Sequence, residues 1–468
     1  MSLQELQPMT VAPAAAPDAT PLRVAFKTLG CRLNQYDTEA MKTTMADVYA
    51  IDFVDWNEPA QLYVINSCTV TMRADQECRR MARQVKRLHP SSKVVVVGCY
   101  AQTQPEALAA VKEIDGVVGN TNKDDVTIWL PEVLGSEVPV LNVEDFAEDP
   151  IFDSPTINEF AGRSRATVKI QDGCNLRCTY CLIWRARGPG RSRTPESVIA
   201  QLQHLVEKGY PETILTGIHL GGYGRDFEDS SFLLPELLDK CLAEVPELRL
   251  RLSSIHPNEV TPRLLNFYRE HPRMRPHLHI SLQSGSSSVL KNMKRPYRSE
   301  RAWEAMRQAA TVMPHFGLGA DIIVGFPGES DADFEETRRM VAELPFSYLH
   351  VFRFSPRPGT EAVGLPDQVD HKVIVERSRI LRELADRKTA EFARNLVGTQ
   401  REAVIEADTN DDDLRQATTD NYVVVMVPNT SQAAGTLVNI TITEYRDDKL
   451  YAQIDSHVNI CTTTSTGD

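Results

Sequence analysis

Three cysteines stand within eight residues, in the run Gly173-Cys174-Asn175-Leu176-Arg177-Cys178-Thr179-Tyr180-Cys181. Thiolates at this CxxxCxxC spacing can hold three corners of a cubane iron–sulfur cluster, leaving one iron open to a further ligand. Two plainer readings compete. A structural zinc ion would want a fourth ligand close by, yet the nearest histidine in sequence is His204 and no further cysteine occurs before Cys241. Three unrelated core cysteines are the other. Cys31, Cys68 and Cys99 are far apart in the chain but share a placement. The segments Thr28-Leu29-Gly30-Cys31, Ile65-Asn66-Ser67-Cys68 and Val97-Gly98-Cys99 each end a short apolar run. One such cysteine reads as a small residue packed at a strand end. Three alike read as a second three-thiol site. Cys78 and Cys241 fall in helical patterns and Cys461 in the tail, and none of them is given a role.

Both sets need elements that deliver them. From Leu22 to about Pro131 apolar runs (Arg23–Phe26, Leu62–Ile65, Val94–Val97) alternate with amphipathic stretches such as Ala74–Leu88, the βαβ pattern of an open parallel sheet. Its strands' carboxyl ends form a ligand crevice, which is where Cys31, Cys68 and Cys99 fall. A second series starts at Ala166, with strands expected at Thr167–Gln171, Thr213–Thr216, Leu248–Ser253, Leu278–Leu282, Gly319–Val324 and Leu349–Phe354. Their starts average about 36 residues apart, near the ~31 of a TIM-type βα unit, so a partial (β/α)6 barrel is expected, with the triplet at the functional end of its first strand. Glycine-bearing loops after later strands supply candidate cofactor-binding residues: Gly217 and Gly221, then Gln283 and Ser284, then Gly325, with Tyr180 inside the triplet itself. Short strands split by polar turns after Leu396 suggest a small β-barrel.

The expected fold is therefore α/β: an N-terminal doubly wound parallel sheet, a central partial barrel and a C-terminal β-barrel. The boundaries are a disordered Ala/Pro-rich leader (1–21), a first domain (22–133), an acidic linker (134–165), the barrel (166–395), the small β-barrel (396–461) and a tail (462–468). The chain has 468 residues and a formal net charge of -13, with 42% hydrophobic and 25% charged residues. That excludes a general polycation holding nucleic acid by bulk charge. Nine cysteines, an odd number without a secretory signal, are not a disulfide framework. No apolar run approaches a membrane span, so a cytoplasmic protein without membrane partners is expected.

The triplet, with an aromatic residue before its last cysteine, resembles the radical S-adenosylmethionine (SAM) superfamily. That resemblance implies a [4Fe-4S] cluster on Cys174, Cys178 and Cys181 whose open iron is chelated by SAM, with electron transfer splitting SAM into methionine and a 5′-deoxyadenosyl radical. The whole arrangement resembles the methylthiotransferases, which join a three-cysteine domain, a radical SAM barrel and a TRAM domain. The matching residues are Thr28-Leu29-Gly30-Cys31-Arg32-Leu33-Asn34-Gln35-Tyr36-Asp37-Thr38-Glu39, the two later strand-end cysteines, the triplet, and Phe354-Ser355-Pro356-Arg357-Pro358-Gly359-Thr360. The family implies a second, auxiliary [4Fe-4S] cluster on Cys31, Cys68 and Cys99 carrying the sulfur to be inserted. It implies two SAM molecules per turnover and an electron donor such as a flavodoxin or ferredoxin. Thr-Leu-Gly-Cys followed by Asn-Gln-Tyr resembles the branch that acts on N6-threonylcarbamoyladenosine of the tRNA anticodon loop (adenosine 37). The alternatives are the branch acting on isopentenyladenosine, an enzyme for a ribosomal-protein aspartate, or a non-catalytic iron–sulfur RNA-binding protein.

Two departures stand out. Where the family usually shows Ile-Pro-aromatic before an Ala-Arg-Gly element, this chain has Ile183-Trp184-Arg185 before Ala186-Arg187-Gly188, and the TRAM-like segment from Leu396 to Cys461 holds four basic residues against eleven acidic ones. A module that binds RNA phosphates should not be so acidic. Basic residues cluster instead on barrel loops: Arg185, Arg187, Arg191 and Arg193 in one group, and Lys291, Lys294, Arg295 and Arg298 in another. These are the expected RNA contacts, since guanidinium groups suit phosphate by geometry as well as charge.

Overall fold

The computed structural model describes residues 13, 20–147, 152, 154–160, 162–229, 231–407, 413–429 and 432–457. Most of the leader, all of the tail and Cys461 lie outside these. The chain divides into two compact units, the first comprising residues 1–157, 172–176 and 181–191 and the second residues 158–171, 177–180 and 192–468.

In the first unit, six parallel strands form one sheet: β1 (Leu22–Thr28), β2 (Ile51–Val54), β3 (Leu62–Ser67), β4 (Lys93–Gly98), β5 (Gly116–Val118) and β6 (Val140–Asn142), in the order β2-β1-β3-β4-β5-β6. Strand periodicity assigns the core. Val95 and Val97 pack on one face with Val24, Val64, Met41 and Trp129. Val94 and Val96 pack on the other with Tyr63, Ile65, Cys78 and Met81. Burial on both faces is what makes β3 and β4 near-continuous apolar runs. The helix Met72–Leu88 starts at Thr71, whose side chain accepts from Ala74 N, satisfying one of the first-turn donors. The three expected strands are present. β2, β5 and β6 were not expected: two are three residues long, and β2 mixes exposed and half-buried positions, so their apolar signal is weak. The stretch expected to begin the acidic linker at 134 instead closes the helix Val126–Gly135 and supplies β6.

In the second unit the six expected barrel strands are all found. Between the first two, β8 (Gln171–Asp172) and β9 (Arg191–Ser192) form a short ribbon. The others are β7 (Ala166–Lys169), β10 (Glu212–Thr216), β11 (Arg249–Leu252) with its continuation β12 (Ser254–Ile255), β13 (His277–Gln283), β14 (Gly317–Val324) and β15 (Tyr348–Arg353). All pair in parallel, as a β11-β10-β7 sheet and a β12-β13-β14-β15 sheet, with the break at Ser253. The helix His371–Arg394 leads into β16 (Gln400–Ile405), β17 (Leu414–Thr419), β18 (Val424–Pro428), β19 (Leu437–Arg446) and β20 (Lys449–His457), a closed barrel in the order β16-β17-β18-β20-β19. β17 carries little strand signal of its own, since Arg415, Gln416, Ala417, Thr418 and Thr419 read in the sequence as a polar turn.

The two barrels of this unit meet through buried charges. Arg251 donates to both oxygens of Glu212 (2.7 and 3.1 Å), and Arg275 donates to Glu212 (2.7 Å) and to Glu402 of the C-terminal barrel (2.6 Å). Arg249 binds Glu402 through two nitrogens (2.9 and 3.0 Å), and Arg165 donates to Glu406 (2.7 Å). Part of the acidity that argued against RNA binding thus neutralises arginines of the neighbouring barrel. No helix is long and apolar enough to cross a membrane among the described residues.

Candidate iron–sulfur centres

The strand-end cysteines converge because β1, β3 and β4 are sheet neighbours and each is followed by its cysteine. Two glycines make the approach possible. Gly30 has φ +93° and its missing Cβ would lie 2.7 Å from Cys68 Sγ; Gly98 has φ +92° and a Cβ there would strike Asn66. Any side chain at Gly30 would push Cys31 and Cys68 apart. All described cysteines are free thiols.

Asn34 organises the group. Its Nδ2 donates to Leu29 O (2.8 Å) and Ser67 O (2.9 Å), which fixes the amide so that Oδ1 faces the thiols, 4.0 Å from Cys31 Sγ and 3.9 Å from Cys99 Sγ. Val70 N donates to Cys68 Sγ (3.5 Å), and Asn120 Nδ2 donates to Cys99 Sγ (3.5 Å) and to Ala186 O (2.6 Å). Burial, reinforced by Cys99, pushes the Cys68 thiol up to about 12. Cys31 is raised too, by the protein packed around its sulfur and against the pull of Arg187, although the residue as a whole is exposed. Raised in this way, the Cys31 and Cys68 thiols favour their protonated forms, and a cluster must displace those protons. Three soft ligands backed by N–H donors, with no protein thiol as a fourth among the described residues, fit a cubane with one open iron.

The triplet loop is tied locally. In the first unit Cys174 N donates to Gly188 O (3.0 Å), Gly190 N to Asn175 Oδ1 (3.0 Å) and Ile183 N to Cys181 Sγ (3.3 Å). In the second, Thr179 donates through N to Met293 O (3.2 Å) and through Oγ1 to Asn292 O (2.9 Å), and Arg295 Nη1 donates to Cys178 Sγ (3.5 Å). Tyr180 meets Phe326 edge-on, with centroids 6.4 Å apart. Cys174 and Cys181 are half-buried and Cys178 is buried, as cluster ligands open to a small cofactor should be.

The loop residues behave less uniformly than expected. Cβ atoms at Gly221 and Gly325 would overlap Glu259 and Ile374, and one at Gly217 would lie 2.9 Å from Gln171 Oε1. Each of these glycines is thus required by protein packing alone. Ser284 is buried, its Oγ accepting from Ser286 N (3.1 Å) and lying 3.3 Å from Thr337 Oγ1, so its side chain is committed. Gln283 keeps its candidacy: it is half-buried at the end of β13 and adopts φ 68°, a conformation non-glycine residues adopt at a cost, often at functional sites.

Sequence reasoning missed a neighbouring cluster at the same end of this barrel. His219 Nε2 lies 2.5 Å from Glu259 Oε1, and His256 stacks on His219 with centroids 4.7 Å apart. Burial and the charge of Arg295 push His256 down to about 3, so it stays neutral. On β13, β14 and the edge strand β15, His279 and the exposed His350 flank Asp321 at 3.0 and 3.2 Å. Single histidines spaced over 70 residues carry no periodic signal that would have found them.

The basic clusters are largely dismantled. Arg187 is 1% exposed, spent on Asp172, Asp37 and Asn34. Arg193 is buried with Nε on Ser197 Oγ (2.8 Å). Arg295 is spent on Cys178, Ser281 O and Tyr297. None of the three offers a free guanidinium to RNA, contrary to expectation: sequence proximity says nothing about which side of a loop a side chain takes. Arg191 is half-buried on Arg187 O (2.7 Å). Arg185, Lys291, Lys294 and Arg298 remain exposed, with Lys294 paired to Glu361 (2.6 Å).

Comparison with known proteins agrees with this geometry. Residues 168–341 match the radical SAM superfamily and residues 23–119 match a family described as uncharacterized protein family UPF0004. The threonylcarbamoyladenosine tRNA methylthiotransferase MtaB of Bacillus subtilis is 38% identical over 90% of this chain and 93% of its own, and that of Aquifex aeolicus is 40% identical over 82% and 93%. The tRNA-2-methylthio-N(6)-dimethylallyladenosine synthase of Anoxybacillus flavithermus is 33% identical over 90% and 80%. Among solved structures, the radical SAM methyltransferase TsrM of Kitasatospora setae aligns with a TM-score of 0.53 at 13% identity, over 73% of this chain and 77% of its own, a likeness of fold. The chain belongs to the MtaB family of threonylcarbamoyladenosine tRNA methylthiotransferases, within the radical SAM superfamily.

Proposed function

We propose that this chain converts N6-threonylcarbamoyladenosine at position 37 of tRNA, 3′ of the anticodon, to its 2-methylthio derivative. The observation that carries this is the similarity to the Bacillus subtilis threonylcarbamoyl enzyme, 38% identity across 93% of that protein, against 33% for a dimethylallyl enzyme over an equal share, 90%, of this chain. Cys174, Cys178 and Cys181 would hold one [4Fe-4S] cluster and Cys31, Cys68 and Cys99 an auxiliary one. With SAM bound, the first supplies a 5′-deoxyadenosyl radical able to remove the C2 hydrogen, and the second a site for the sulfur that replaces it. The chain's own work is positioning, since a short-lived carbon radical reacts only with what is held beside it. Arg295 and Tyr180 brace the triplet loop, Gln283 lines the barrel end, and a flipped-out anticodon-loop base would have to enter there. Arg185, Lys291, Lys294 and Arg298 are the residues left to hold RNA phosphates. A flavodoxin or ferredoxin would deliver electrons, and an enzyme acting on tRNA would work in the cytoplasm.

Two measurements test the proposal. In total tRNA from a strain lacking the gene, mass spectrometry should find 2-methylthio-N6-threonylcarbamoyladenosine missing and its unthiolated precursor accumulated. Loss of the isopentenyl counterpart instead would move the chain to the other branch. In purified protein, C174A should abolish SAM cleavage, whereas C31A/C68A/C99A should keep it, lose methylthiolation and bind about half the iron of two four-iron clusters.

A further inference from the structure

More buried charge stands beside Cys31, Cys68 and Cys99 than three packed thiols would need. Arg187 Nη1 donates to both oxygens of Asp172 (3.1 and 3.0 Å), while Nη2 donates to Asn34 Oδ1 and Asp37 Oδ2 (both 2.7 Å). Lys123 Nζ, also buried, lies 3.8 Å from the same Asp37 oxygen. Asn34 Oδ1 is shared: the atom that receives Arg187 is the one that faces Cys31 Sγ at 4.0 Å and Cys99 Sγ at 3.9 Å. The guanidinium Nε–H is buried and has no hydrogen-bond partner among the described residues, a costly omission for a protein that holds nothing in this pocket. An arginine cannot shed its proton. Its buried charge therefore acts on whatever the thiolates hold, and outer groups of this kind set cluster potentials.

We propose that Arg187 is a positioning residue of the auxiliary centre. Oriented by Asp172, Asp37 and Asn34, it raises the reduction potential of the cluster on Cys31, Cys68 and Cys99. Asp37 acts in the opposite sense by compensating part of that charge. This rests on the reading of those three cysteines as cluster ligands.

The test uses the full-length chain carrying C174A/C178A/C181A, reconstituted so that one cluster remains, and titrated with dithionite as one-electron reductant under electron paramagnetic resonance. Adding R187Q/D172N removes one charge of each sign and leaves the net charge unchanged, Arg191, 3.5 Å from Asp172, losing that contact as well. It should shift the reduction equilibrium at least tenfold toward the oxidised state, 59 mV for one electron. D37N, nearly isosteric, should shift it toward the reduced state. A structural role alone would give no such opposition of sign. A paired variant within twofold of its parent, or a D37N shift that is absent or in the same direction, overturns the proposal. If the paired variant does not fold, the sign of the D37N shift decides. A parent that holds no cluster overturns the ligand assignment and this inference together, whereas unchanged potentials in a parent that does hold one overturn only the role of Arg187.

Discussion

Asn34 illustrates how much one amide settles at the residue scale. Both of its N–H groups are taken by Leu29 O and Ser67 O, so its oxygen has one orientation, and that orientation serves Arg187 and two thiols. Replacing it by alanine strips buried carbonyls and a buried guanidinium of partners at once. N34A should lose about 2–3 kcal/mol of stability by denaturant titration and hold less iron at the auxiliary centre. Gln283 offers a test of the opposite kind. Its φ of 68° costs about 1 kcal/mol that glycine would not pay. Q283G should melt higher while cleaving SAM more slowly. A variant both more stable and fully active would remove Gln283 from the cofactor-binding set.

Between elements, the decisive feature is the Glu212 carboxylate, enclosed by Arg251, Arg275 and Arg165 at the seam of the two barrels of the second unit. Burial opposes its charge, but the three arginines prevail and hold it at about 2, below the ordinary 4.5. A carboxylate depressed on folding stabilises above its unfolded value and loses that contribution as pH falls. The stability due to Glu212 is therefore complete above about pH 4.5 and disappears toward about pH 2. E212Q leaves buried arginines uncompensated and should cost about 3–5 kcal/mol at pH 7. The gap between wild type and E212Q in thermal or denaturant melts should narrow across that acid window; a gap independent of pH would assign the loss to packing.

For the whole molecule, net charge misleads about RNA. In the C-terminal barrel Glu402 and Glu406 are spent on Arg249, Arg275 and Arg165. Of its four basic residues Arg415 is buried and Arg401 is turned to Asp420, so that Arg446 and Lys449 are the exposed ones. R446A/K449A should therefore weaken tRNA binding only slightly and reduce the slope of log affinity against log salt by at most about 1–2 units. R185A/K291A/R298A should reduce it more. A large loss from the first variant would make the β-barrel the principal RNA-binding surface. The fold class, the six barrel strands and the placement of three cysteines at neighbouring strand ends were legible in sequence, because buried parallel strands are continuous apolar runs whose ends can be read. Short or polar strands such as β5, β6 and β17 were not legible, since their pairing comes from neighbours and not from their own pattern. Nor was the fate of the arginines. Arg185, Arg187, Arg191 and Arg193 look alike in a row, yet one faces solvent, one shares Asn34 Oδ1 with the Cys31 and Cys99 thiols, and the others are buried or half-buried. Residue type and spacing determined what chemistry the chain can hold; which charges meet it was decided only by tertiary packing, since a side chain's partners come from segments remote in sequence.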